Sequence, residues 1–95
     1  MEYRGEIKVM KKLKKTMKSR IRKIANKKIL IIMNKYYELN DLGEMIITNL
    51  DGEKSSEDII NVISRMFPDI DESTIRLDVN NYLNFLLDAG AIEEV

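Results

Sequence analysis

Residues 29–50, ILIIMNKYYELNDLGEMIITNL, change hydrophobic period once, and that change constrains the fold more than any other feature. Ile29 to Met33 form a β-branched run, and KYYEL follows after a turn at Asn34 and Lys35, so the two runs read as a hairpin. Beyond Leu39 the apolar positions Leu42, Met45, Ile46 and Leu50 recur at helical spacing. Asn40 and Asp41 are both good N-caps, so a strand ends and a helix starts within two residues, and the helix closes at Asp51-Gly52. A helix launched that abruptly holds the preceding strand rigidly against whatever the helix packs on.

Two further helices follow. Ser55 stands three residues before Asp58, an acidic capping box, and opens a stripe of Ile59, Ile60, Ile63, Met66 and Phe67 that Pro68 stops. Asp71 or Ser73 caps a third helix carrying Ile75, Val79, Tyr82, Leu83 and Leu86, closed by Gly90, with Ile92 packing back. The expected fold class is α+β, a winged helix-turn-helix-like domain with a three-stranded antiparallel sheet followed by three α-helices. The third strand of that sheet comes from residues 18–25, whose Ile21 and Ile24 also fit a helix: Met10, Leu13, Met17, Ile21 and Ile24 are spaced 3, 4, 4 and 3 apart. The segment is open to both readings.

The balanced charge of the 95 residues conceals a division. From Met1 to Lys35 thirteen Lys and Arg oppose two Glu, an excess of eleven positive charges, and the rest of the chain carries the opposite excess. Such asymmetry concerns partners more than fold. Residues 1–17 read as a basic N-terminal arm and residues 18–95 as the domain. The arm suits a membrane-surface helix, a helix docking on a partner or another copy of the chain, or a solvated tail. No secretory signal follows the basic start, which makes the cytoplasm the expected location, and no apolar run is long enough to span a membrane.

Composition excludes several chemistries. Without cysteine there is no disulfide or thiolate, and without histidine the usual neutral-pH acid–base group is missing. The acids sit at caps and on solvated helix faces, so no catalytic residue is assigned and an enzyme is not expected. DIDES (Asp69 to Ser73) starts like a calcium loop, but Thr74 replaces the turn glycine and Asn80 the bidentate glutamate, which leaves a helix cap. No metal ligand and no cofactor is expected, and no Gly-rich phosphate loop is present. A winged-helix nucleic-acid-binding protein using the basic arm is the alternative reading. Its third helix argues against it, because Asp78 and Asp88 with Arg76 as the only cation would meet phosphates.

From Asn34 to Ile92, about sixty of the 95 residues, the sequence resembles the PqqD-like family, small leader-peptide recognition elements of ribosomally synthesised, post-translationally modified peptide pathways. The matching pieces are YYELND (Tyr36 to Asp41) with Gly43, LDG (Leu50 to Gly52), SSEDII (Ser55 to Ile60), MFP (Met66 to Pro68) and LLDAGAI (Leu86 to Ile92). No single piece is specific, whereas the ordered set is. The first 17 residues lie outside the pattern. The resemblance implies a non-catalytic protein that captures a precursor's leader peptide as an extra strand beside residues 35–39 and the third helix. It then presents the peptide to a modifying enzyme such as a radical-type maturase or leader protease. The physical basis is general: an exposed strand edge offers unpaired N–H and C=O groups that any extended peptide can satisfy, while side-chain pockets supply selectivity.

Helical geometry then nominates side chains. With Val79 at zero, Ile75, Leu83 and Leu86 fall within about 40°, a core arc, while Tyr82, Asp78 and Phe85 lie at about −60°, −100° and −120°, on its rim. On the strand, Tyr37 and Leu39 share the core face and Tyr36 and Glu38 the other. The candidate peptide-binding residues are Lys35, Tyr36, Tyr37, Glu38, Leu39, Asp78, Tyr82 and Phe85.

Overall fold

The structure is a computed structural model and describes residues 12–95. Four strands, β1 (Leu13–Lys15), β2 (Ser19–Ile24), β3 (Lys27–Ile32) and β4 (Lys35–Glu38), precede α1 (Asp41–Thr48), α2 (Ser56–Met66) and α3 (Glu72–Asp88), and β5 (Ile92–Glu94) follows. β2, β3 and β4 form the expected three-stranded antiparallel sheet in that order, with β4 at one edge. Two-residue turns join them. Ala25 and Asn26 both have positive φ, as a primed hairpin turn requires, and between β3 and β4 the turn is Met33-Asn34, with Met33 at φ 56°, one residue earlier than the sequence suggests. That shift lets β4 begin at Lys35.

Pleating sends Leu30 and Ile32 into the core with Leu39, while Ile31 and its cross-strand neighbours Arg20 and Tyr36 occupy the outer face. Ile46, Ile47 and Leu50 of α1 and its exit, Ile59, Ile60 and Ile63 of α2, and Ile75, Val79, Leu83 and Leu86 of α3 complete the core. Ile47 joins this face although the predicted stripe omitted it. Met66, expected on the stripe of α2, is instead exposed as the last residue of that helix.

Caps explain the boundaries. The Asn40 side chain accepts from Gly43 N at 2.8 Å, which makes Asn40 the N-cap and leaves Asp41 as the first helical residue. Ser55 and Asp58 form the reciprocal capping box. α1 ends at Thr48, and the chain turns at Asp51, whose carboxylate accepts from Glu53 N at 2.8 Å, Lys54 N at 3.2 Å and Lys54 Nζ at 2.8 Å. Asp71 precedes α3 without a side-chain cap bond, being engaged by the Ser73 hydroxyl. After α3, Gly90 takes φ 77°, and Ala91 N bonds Leu86 O while Gly90 N bonds Leu87 O, a Schellman closure.

The helical reading of the stripe at Met10, Leu13, Met17, Ile21 and Ile24 does not hold. Leu13 lies in β1, which pairs antiparallel with β5, and is fully buried, whereas Met17 is fully exposed. Ile21 and Ile24 belong to β2, and Met10 lies outside the described residues. Residues 12–17 are therefore part of the folded unit, and its edge is earlier than residue 17. The loop at Asp51 flanks β1 on its other side, with Leu13 N on Lys54 O and Gly52 N on Leu13 O, both at 2.9 Å. Packing dominates this attachment. Burying Leu13 contributes about 2 kcal/mol, whereas the exposed pairs Lys12–Glu53 at 3.8 Å and Lys14–Glu93 at 3.6 Å contribute well under about 1 kcal/mol each.

The placement of β1 also relocates the positive charge. Ten of the thirteen cations before Tyr36 lie between Lys12 and Lys35, where there is no acid. Six of them, Arg20, Arg22, Lys23, Lys27, Lys28 and Lys35, lie on the three-stranded sheet.

Candidate functional site

β4 is short, and its hydrogen-bonding alternation decides what it can offer. Leu39 N donates to Lys28 O at 2.9 Å, so Leu39 bonds inward to β3, and by the antiparallel alternation Tyr37 and Lys35 do the same. Tyr36 and Glu38 consequently aim their N–H and C=O groups at the outer edge, which pairs with no strand among the described residues and presents two donors and two acceptors.

Side chains alternate in the perpendicular direction. Tyr37 turns toward α3, half-buried, and its ring meets Phe85 edge-on with centroids 5.3 Å apart. Tyr82 meets Phe85 the same way at 6.1 Å. Edge-to-face pairs of this kind add about 0.5–1.5 kcal/mol beyond area burial, so the three rings form one stiff wall between β4 and α3. Phe85 remains 39% exposed, and Tyr36, at 66%, stands on the opposite face of β4 with Glu38, which pairs with Lys27 at 3.7 Å. Leu39 is buried, and its side chain belongs to the core. Asp78 and Lys35 are exposed at opposite ends of the wall.

α1 leaves β4 across this wall, and Gly43 makes the crossing possible. A Cβ at that position would lie 2.6 Å from Tyr82 Oη and 3.2 Å from Asn40 Oδ1. Burial raises the Tyr82 phenol above its ordinary value, so the hydroxyl keeps its proton at neutral pH.

Two hollows bracket the aromatic wall. One, about 350 Å³, is lined by Ile32, Met33, Asn34, Lys35, Tyr37 and Ala89, at the turn into β4 and the end of α3. The other, about 270 Å³, lies where α1 begins, among Leu42, Ile63, Phe67, Ile70 and Ile75, with Asp41 and Asp78 in its lining. Both are mainly apolar. Of the nominated residues, Lys35, Tyr37 and Asp78 line these hollows, and Tyr82 and Phe85 lie between them. Met33, Asn34, Asp41, Leu42, Ile70 and Ala89 were not foreseen, because each sits in a turn, a cap or a connection whose neighbours are set by tertiary packing. Among the described residues no group of three or more His, Cys, Asp or Glu is placed to hold a metal ion, and no helix is long and apolar enough to cross a membrane.

Comparison with known proteins bears on the family and the fold. None of the curated proteins matches the chain. A solved structure described as "TbiB1 in Complex with the TbiA(beta) Leader Peptide" superposes with a TM-score of 0.70 at 22% sequence identity, covering 84% of this chain and 94% of the other. That likeness establishes a shared fold. The family profile "Coenzyme PQQ synthesis protein D (PqqD)" matches residues 20–92, from the second residue of β2 to the first of β5. The chain belongs to the PqqD family.

Proposed function

We propose that this protein binds the leader segment of a precursor peptide by strand addition to β4 and, without catalysing a reaction itself, presents the peptide to a separate modifying enzyme. The observation that carries the reading is the free edge of β4, with Tyr36 and Glu38 pointing outward beside the Tyr37–Phe85–Tyr82 wall. Backbone groups on an edge bind any extended chain, and the adjoining hollows supply side-chain selectivity. Family membership supports a role in peptide modification, and the structural relative TbiB1 is itself a leader-peptide complex.

The nominated residues take distinct roles in this reading. Tyr36 and Glu38 donate and accept backbone hydrogen bonds. Tyr37, Tyr82 and Phe85 form the apolar floor, and Lys35 and Asp78 mark its ends. Leu39 holds the strand to the core without touching the peptide. Titration with the cognate leader peptide and, separately, with duplex DNA tests the proposal. Saturable leader binding in the micromolar range or tighter, with DNA binding only weakly and losing affinity steeply with salt, supports it. Salt-resistant DNA binding with no leader binding would replace it by the nucleic-acid reading.

A further inference from the structure

The hollow of about 270 Å³ is not a plain apolar pocket, because two carboxylates, Asp41 and Asp78, line it beside Leu42, Phe67, Ile70 and Ile75. Neither Asp forms an ion pair with any described residue, and each is exposed, so both charges are available. Asp41 is free because Asn40, not Asp41, supplies the cap of α1. Asp78 is free because the cation of its own helix, Arg76, is held by Glu57 and by Glu72 at 3.0 Å.

We infer that this hollow selects a cationic residue of the bound peptide, an Arg or Lys whose aliphatic stem lies against Leu42, Phe67 and Ile75 while its charged head lies between Asp41 and Asp78. The inference rests on the leader-binding reading and names a specificity element of that same groove. A purely apolar occupant would leave two carboxylates at its border partly desolvated and uncompensated, whereas an apolar stem with a charged tip satisfies both parts of the lining.

The geometry also sets a spacing. Asp78 and Ala89 are eleven residues apart along α3 and its cap, about 16 Å at helical rise, which an extended peptide covers in about five residues. A peptide filling both hollows therefore carries its cation about four to six positions from an apolar side chain lodged beside Met33 and Ala89. At that second end Lys35 lines the hollow, so the groove is anionic at one end and cationic at the other, which disfavours the reversed arrangement of the same peptide.

The test uses a random twelve-residue display library selected on residues 1–95 and on the Asp41→Asn/Asp78→Asn double variant. The selected peptides are then followed by NMR at the Tyr36 and Glu38 amides. The wild-type protein is expected to enrich Arg or Lys at the stated spacing from an apolar residue. The double variant, whose substituted positions are exposed and isosteric, is expected to lose that enrichment and to bind the selected peptides roughly tenfold more weakly at low salt. Peptides that protect both amides yet show no cation preference, or equal affinity for the double variant, overturn the inference and leave the leader-binding reading intact. Selected peptides that never protect those amides overturn both.

Discussion

Proline scanning of β4 separates a peptide-binding edge from a merely structural strand, because alternate positions have opposite consequences. Glu38 aims its N–H outward, so Glu38→Pro removes a donor that no acceptor among the described residues uses, and prolyl residues are tolerated on edge strands in that orientation. Folding stability is expected to fall by less than about 1 kcal/mol. Peptide binding, in contrast, loses one backbone hydrogen bond of about 1 kcal/mol, and the pyrrolidine ring projects into the space of the incoming strand. Together these predict at least about a tenfold loss of leader affinity, since 1.4 kcal/mol corresponds to a factor of ten. Leu39→Pro is the control. Its N–H donates to Lys28 O at 2.9 Å and its side chain is buried, so the substitution breaks a ladder bond in the core and is expected to cost about 3 kcal/mol or more of stability. Urea denaturation gives the stabilities and calorimetric titration the affinities. If Glu38→Pro destabilises the fold as much as Leu39→Pro does, or binds leader with unchanged affinity, the assignment of the outward edge is refuted.

Other predictions concern the wall and the two ends of the chain. Phe85→Ala is expected to weaken leader binding by about 1–2 kcal/mol while destabilising the fold less than Leu83→Ala, which opens a cavity costing about 2–5 kcal/mol; thermal melts with parallel titrations decide. Gly43→Ala forces the Tyr82 ring or α1 to shift and is expected to cost about 1–3 kcal/mol, visible in denaturation and in displaced Tyr82 ring resonances. Deleting residues 1–17 removes β1 with the buried Leu13 and should lower the melting temperature sharply, as thermal melts would show. The Asp51 carboxyl is held down to about 2 from 3.8 by the Lys54 side chain and the Glu53 backbone N–H. A depressed folded-state value contributes stability that is present above the unfolded value and lost as pH falls through the folded one, so wild type and Asp51→Asn should converge in melting temperature between about pH 4 and pH 2.

Much of this architecture was legible in the sequence because it rests on local chemistry. The capping box at Ser55 and Asp58, the stop at Pro68, the Gly90 closure and the period change at Asn40 each act within a few residues, and each stands where expected. β1 and β5 escaped because three-residue strands carry no measurable period, and the chance helical spacing of Met10, Leu13 and Met17 offered a rival pattern. The fate of Leu13 is decided instead by partners about forty and eighty residues away, Lys54 and Glu94, which no local rule reaches.

The site divides in the same way. Tyr37, Tyr82 and Phe85 could be placed from strand and helix periodicity, and the structure brings them into contact. Asp41 and Ala89 could not, since a helix's first residue and a cap acquire their neighbours only when α1 and α3 dock. The positive charge was misplaced for a related reason: counting to residue 35 revealed the excess, but only the pairing of β2, β3 and β4 placed six of the cations on one sheet. Salt sensitivity of leader association is therefore expected to follow Lys35, Arg20 and Arg22 more than residues 1–11.

If the leader adds to β4 as a fourth strand, amide hydrogen exchange with and without saturating leader peptide reports it at individual residues. In the free protein the Tyr37 and Leu39 amides, bonded to β3, should exchange slowly, while those of Tyr36 and Glu38 exchange fast. On leader binding, Tyr36 and Glu38 should become protected with little change at Tyr37 and Leu39. Saturating leader that leaves Tyr36 and Glu38 exchanging at their free rates would contradict it.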